Sequence, residues 1–74
     1  MNDRELKIWG NIRKLRILRG YKSCSELCRQ LCLVGYDCTP TLVRLWEQKL
    51  RNPTVFAIQA LCEVFNVSAD TLLF

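Results

Sequence analysis

The chain predicts an all-α fold, a compact bundle of four or five short helices in one domain spanning residues 1–74. Three observations carry this expectation. Seventy-four residues, half of them apolar, support one small core of marginal stability, and a single parallel βαβ crossover would already consume about 30 of them. Apolar residues recur at i, i+3 and i+4 along most of the sequence, which is helical spacing. Helix-start residues then stand in front of those runs at Ser23, at Thr39-Pro40, at Thr54 and at Ser68, where a hydroxyl satisfies an orphan backbone amide.

The first helix is expected over Leu6 to Leu18, with Leu6, Ile8, Trp9, Ile12, Leu15 and Leu18 apolar and Arg13, Lys14, Arg16 and Arg19 largely off the core stripe. Gly20 closes it, glycine being the residue that tolerates the left-handed turn after a helix. Ser23-Cys24-Ser25-Glu26 reads as a capping box that opens a second helix with Leu27, Cys28 and Leu31 inward. Gly35-Tyr36-Asp37 is a turn signal. Thr39 followed by Pro40 starts a third helix, running to about Lys49 with Val43, Trp46 and Leu50 on one side. Asn52-Pro53 breaks the chain, and Thr54 caps a fourth helix with Val55, Ile58, Leu61, Cys62 and Phe65 facing in. Asn66 suits a left-handed helix end, and Ser68 begins a short terminal turn carrying Leu72 and Leu73.

Composition excludes several chemistries. With no His there is neither a Ser-His nor a Cys-His nucleophile pair, nor a zinc site mixing Cys and His. An enzyme is not expected, because paired acid/base groups and a chain long enough for a closed pocket are both missing. No apolar run approaches the roughly 20 residues that span a bilayer, and Met1-Asn2-Asp3-Arg4-Glu5 lacks the apolar stretch of a signal peptide, so a cytoplasmic domain without membrane association is expected. In that setting the five cysteines stay reduced and serve chiefly as small buriable apolar residues. Cys24, Cys28 and Cys32 nevertheless recur every four residues along one helix stripe.

Charge is segregated. All 11 Lys and Arg lie between Arg4 and Arg51, against Asp3, Glu5, Glu26, Asp37 and Glu47, so residues 1–51 carry +6. Residues 52–74 hold only Glu63 and Asp70, for −2. Such a layout suits one face meeting a polyanion and another packing or self-associating.

Two short helices joined by a connection, inside a basic all-α domain, form the geometry that sets one helix in a DNA major groove. The motifs that follow are specific. They run in order as Ile12-Arg-Lys-Leu-Arg16 with Arg19-Gly20, Ser23-x-x-x-Leu27-Cys28, Thr39-x-x-x-Val43-x-x-Trp46-Glu47, Arg51-Asn52-Pro53, and Leu61-Cys-Glu-Val-Phe-Asn-Val-Ser68. In that order, from Trp9 to Phe74, the sequence resembles the Xre/Cro phage-repressor-type helix-turn-helix DNA-binding family. Leu31-x-x-x-Gly35-Tyr36-Asp37 resembles a subset with a longer connection between the second and third helices.

The resemblance implies a lambda-repressor-like bundle and a sequence-specific transcriptional regulator, a repressor that reads a palindromic operator on double-stranded DNA as a homodimer. It implies DNA contacts from Ser23, Thr39, Thr41, Arg44, Leu45, Lys49, Arg51 and Arg16, and an ion pair between Arg16 and Glu47 that ties the first helix to the end of the third. No cofactor and no metal are expected, since a metal or iron-sulfur cluster would want the closer C-x-x-C spacing that is absent here. For the dimer contact, Phe56, Val64, Leu73 and Phe74 are the candidates at the uncharged end of the chain.

Some positions depart from the family pattern. Cys24 stands where glutamine is frequent, Lys49 where glycine is frequent, and Cys28 and Cys62 where alanine is usual. Cys38 occupies a small apolar plug position before the third helix, and Leu42 and Leu45 give that helix an apolar outward side. Two other functions fit these departures: a protein-interaction module that kept the fold and lost DNA binding, suggested by Leu42, Leu45 and Cys24, and a redox or metal sensor built on Cys24, Cys28 and Cys32.

Overall fold

A computed structural model describes residues 8–74. The chain forms five helices: α1 (Ile8–Leu18), α2 (Cys24–Leu33), α3 (Pro40–Glu47), α4 (Val55–Phe65) and α5 (Ala69–Leu73). Among the described residues there is no strand and no helix long and apolar enough to cross a membrane. Leu6, the first apolar residue expected in the opening helix, lies outside the described residues.

The expected caps form. Ser23 Oγ accepts from the Glu26 amide at 3.2 Å, Thr39 Oγ1 from Leu42 at 3.2 Å, Thr54 Oγ1 from Ala57 at 3.1 Å and Ser68 Oγ from Thr71 at 3.3 Å. Only half of the expected capping box is present, since the Glu26 carboxylate makes no bond back to the Ser23 amide.

The first four helices end alike. One residue turns left-handed, its amide bonds three residues back, and the next amide bonds five back. The turning residues are Gly20 (φ +84°), Gly35 (φ +95°), Lys49 (φ +64°) and Asn66 (φ +55°). At α3 the two bonds run from Lys49 to Trp46 O at 3.1 Å and from Leu50 to Leu45 O at 3.0 Å. Helix α3 therefore stops at Glu47, two residues short of the expected Lys49.

Every helix contributes to one core. Its members are Ile8, Ile12 and Leu15 from α1, Leu27, Cys28 and Leu31 from α2, Val43 and Trp46 from α3, Ala57, Ala60, Leu61 and Phe65 from α4, and Leu72 from α5. Trp46 is fully enclosed, with the Tyr36 ring tilted against it at a centroid distance of 6.3 Å.

Three residues expected inside lie outside: Leu18, Leu50 and Val55. At about 100° per residue, Leu18 falls on the flank of the Ile8–Ile12–Leu15 stripe away from Arg16. Leu50 follows the left-handed Lys49, where the chain has already turned off the helix. Val55 occupies the first position of α4 and points roughly opposite to Ala57. Ala57 and Ala60 take its place inside, and their small side chains let α4 approach its neighbours closely. Arg16, expected off the core stripe, is buried.

Candidate nucleic-acid interface

Helix α3 packs mainly on α2 and also touches α1. Val43 and Trp46, one turn apart, anchor its inner side, and the caps at Thr39 and Pro40 fix where it begins. The helical repeat then leaves Thr41, Arg44 and Gln48, at i, i+3 and i+7, exposed on the other side. Leu45 is half-buried beside them. Leu42, expected to face outward, packs partly against the core, so the outer surface of α3 is more polar than its sequence suggests.

A polar joint sets the tilt of this helix. Arg16 Nε of α1 donates to Glu47 Oε2 at 2.8 Å and Nη2 to Oε1 at 3.4 Å, while Nη1 donates to the Tyr21 carbonyl at 2.9 Å. Both side chains are about one-tenth exposed (10% and 11%). The hydrogen bond that Arg16 donates to Glu47 raises the guanidinium above its ordinary pKa against the opposing effect of burial. On the α2 side the Cys24 thiol donates to Glu47 Oε2 at 3.8 Å, and burial together with the Glu47 charge raises its pKa. One carboxylate thus joins α1, α2 and α3. Arg16 also figured among the expected DNA contacts. Its guanidinium is turned inward and engaged on three sides, so it belongs to the joint and not to the outer surface.

The remaining expected contacts are all at the surface or half-buried. Thr41, Arg44, Lys49 and Arg51 are exposed, as are Ser23 and Thr39. The hydroxyl oxygens of Ser23 and Thr39 accept cap bonds and keep their own protons to donate outward. Arg44, Lys49 and Arg51 make no salt bridge with another described residue. Between Cys38 and Cys62 the one acidic residue is Glu47, and Arg16 neutralises it from within. The stretch from Thr39 to Arg51 therefore presents three cations outward with no exposed carboxylate of its own.

Several functional-looking contacts have no signature in the sequence. Arg19 donates from Nε and Nη2 to the Phe65 carbonyl at 3.0 and 2.7 Å, placing a cation at the negative end of α4. Asn11 Nδ2 donates to the Leu72 carbonyl at 2.8 Å and so holds α5 to α1. The cysteine stripe does not gather as its spacing suggests. Cys24 turns to Glu47, whereas Cys38, six residues beyond Cys32, comes back against Cys28 with its Sγ at 3.4 Å. Burial raises the Cys28 thiol and, with the neighbouring thiol, pushes Cys38 up to about 12. Cys62 is half-buried against the core and is raised by burial alone.

Of the expected dimer candidates, Val64 and Leu73 pack partly against the core, while Phe56 stays 74% exposed and Phe74 is 44% exposed. No protein-family model, curated protein or solved structure gives a significant match to this chain.

Proposed function

We propose that this protein is a sequence-specific DNA-binding regulator of transcription that presents α3 to the major groove. One observation carries the reading. Helix α3 and its C-terminal cap hold an exposed row of Thr41, Arg44 and Gln48, continued by Lys49 and Arg51, while the single carboxylate of that stretch is folded inward onto Arg16. Cations on a convex helix without local acids suit a phosphate backbone. Side chains projecting from the same helix suit base edges in a groove about 12 Å wide. Arg44 stands at the centre of the row, Lys49 and Arg51 at its far end, and Ser23 and Thr39 at the starts of the two helices that would straddle a strand.

A single domain of this size offers few contacts, so two copies on a palindrome supply the affinity that one lacks. Phe56, 74% exposed, is the apolar side chain this reading assigns to that contact. It shares the rim of a shallow hollow with Val34 and Tyr36, away from the outer row of α3. A repressor working in the cytoplasm is the role this reading favours.

Selection from random duplexes, followed by salt titration of the recovered sequence, tests the proposal. Log affinity should fall with log salt with a slope of about −0.9 per phosphate contact. Arg44→Ala should cost roughly 1–3 kcal/mol on the selected sequence and relax preference at one position. Lys49→Ala or Arg51→Ala should weaken all sequences alike and reduce the slope by about 1 each. No enrichment over the starting pool, together with one stoichiometric protein bound through the Leu45 side of α3, would replace this reading with a protein-interaction module.

A further inference from the structure

Cysteine is the residue the DNA reading leaves unused. Cys28 and Cys32, four apart on α2, share one face of the helix. After Leu33 the left-handed Gly35 reverses the chain, and the returning segment brings Cys38 onto that face immediately before Thr39 caps α3. The Cys28 thiol donates to the Cys38 carbonyl at 3.1 Å, and the two sulfurs lie 3.4 Å apart. Cys32 points to the same place, with its sulfur 3.9 Å from the Cys38 carbonyl. All three Sγ atoms lie within 4.8 Å of one another. Cys28 is buried, Cys38 half-buried and Cys32 exposed, so the trio has a dry floor and an open mouth.

Packing accounts for Cys28, which fills core volume, and in part for Cys38. It does not account for Cys32. An exposed side chain has no need to turn toward two half-hidden thiols, yet its sulfur closes the triangle. Three convergent, polarisable donors are the ligand set of a soft metal ion. Tetrahedral zinc with Zn–S bonds of about 2.3 Å places its sulfurs roughly 3.8 Å apart, which the trio reaches with shifts of about an ångström or less.

We propose that Cys28, Cys32 and Cys38 form a three-thiolate site for a soft metal ion, with zinc(II) as the type, clamping α2 to the residue just before the Thr39 cap of α3. On binding, three S–H bonds give up their protons to solvent as three S–Zn bonds form. No electron is transferred, and the zinc with its three thiolates carries one net negative charge. A fourth position opens on the Cys32 side, where water completes the tetrahedron. Oxygen-preferring ions such as magnesium or calcium find no carboxylate in this group, and the Cys38 carbonyl falls short of the six or more oxygens they take. The site needs nothing from the DNA reading and stands or falls without it.

Titration of the reduced, full-length protein with cobalt(II) under inert gas tests the site. A thiolate-to-cobalt charge-transfer band should grow to saturation at one equivalent, with the intensity of three thiolates, and zinc(II) should bleach it. Saturating zinc should protect Cys28, Cys32 and Cys38 from alkylation, as mapped by mass spectrometry. Cys32→Ser removes an exposed ligand and leaves the core untouched, so its far-ultraviolet circular dichroism should match the parent while metal affinity falls about 100-fold or more. Cys38→Ser should do the same, and if it fails to fold, Cys32→Ser carries the test alone. Cys24→Ser and Cys62→Ser should bind as the parent does. Absence of the band, its survival in Cys32→Ser, or an equal loss in Cys24→Ser would each overturn the proposal.

Discussion

Lys49 is the residue whose backbone is least suited to its side chain. It turns α3 off with φ +64°, a left-handed conformation that costs an L-residue roughly 1–2 kcal/mol and glycine almost nothing. Two of the other three helices that end this way use glycine, and α4 uses asparagine, which tolerates the region well. Keeping lysine here exchanges stability for a positive charge at the end of the outer row. Lys49→Gly should therefore raise unfolding free energy by about 0.5–1 kcal/mol, after allowing for the greater entropy of glycine in the unfolded chain. Urea denaturation checks this, and an unchanged or lower midpoint would mean that the lysine side chain stabilises the turn. Under the proposed DNA-binding function, the same variant should lose about one phosphate contact from the salt slope.

Between elements, orientation depends on caps and on one buried ion pair. At the start of α3 Pro40 brings no amide, and the Leu42 amide is shared between the Thr39 hydroxyl at 3.2 Å and the Thr39 carbonyl at 3.0 Å. Thr39→Ala should cost about 1 kcal/mol in thermal or urea unfolding. The Arg16–Glu47 joint is of another order. Glu47→Ala strands a guanidinium that is nine-tenths enclosed, which should cost about 3–5 kcal/mol. Replacing both partners with apolar residues of similar size, Arg16→Met with Glu47→Leu, should recover most of that loss, since a buried pair contributes little net stability against a packed apolar substitute. If the double variant is as unstable as Glu47→Ala, the Arg16 bond to the Tyr21 carbonyl, rather than the pair, holds the joint. The recovered double variant would also report on tilt. It should fold well and, under the proposed DNA-binding function, bind DNA poorly, because nothing polar would fix α3 relative to α1.

At the scale of the whole molecule the core closes only when the last helix returns. Leu72 is fully buried, although α5 is only five residues long. That helix lies against both α1 and α4, with the Asn11 side chain bonded to the Leu72 carbonyl. Leu72→Ala should cost about 2–5 kcal/mol, a large share of the 5–15 kcal/mol that small domains possess. Unfolding of the variant should remain a single cooperative transition, seen equally by circular dichroism and by the fluorescence of Trp9 and Trp46. An independent early transition limited to the C-terminus would show that α5 is a separable flap. Charge is distributed on the same scale. The basic two-thirds of the sequence supplies α1 to α3 and the loop beyond, and the weakly acidic remainder supplies α4 and α5, so the fold keeps the two regions on different elements.

Helices, caps and ends were legible in the sequence because they are local events. A hydroxyl at Ser23 or Thr54 reaches an amide three residues on, and Asn66 adopts its left-handed turn without consulting the rest of the chain. Most of the core was legible for the same reason, since helical period alone selects Ile12, Leu27, Leu31, Val43 and Trp46. What the period left ambiguous lay at helix ends, where Leu18, Leu50 and Val55 share the apolar character of the core but not its direction. Apart from the Arg16–Glu47 pair, which the motif resemblance implied, only the tertiary structure decided which polar groups meet. The burial of Arg16, the turn of Cys24 toward Glu47 and the convergence of Cys38 on Cys28 and Cys32 depend on how helices far apart in sequence are set against each other. Spacing along one helix placed Cys24 with Cys28 and Cys32. The reversal after Leu33 put Cys38 there instead, because a chain that folds back brings together sulfurs that no single helical repeat relates.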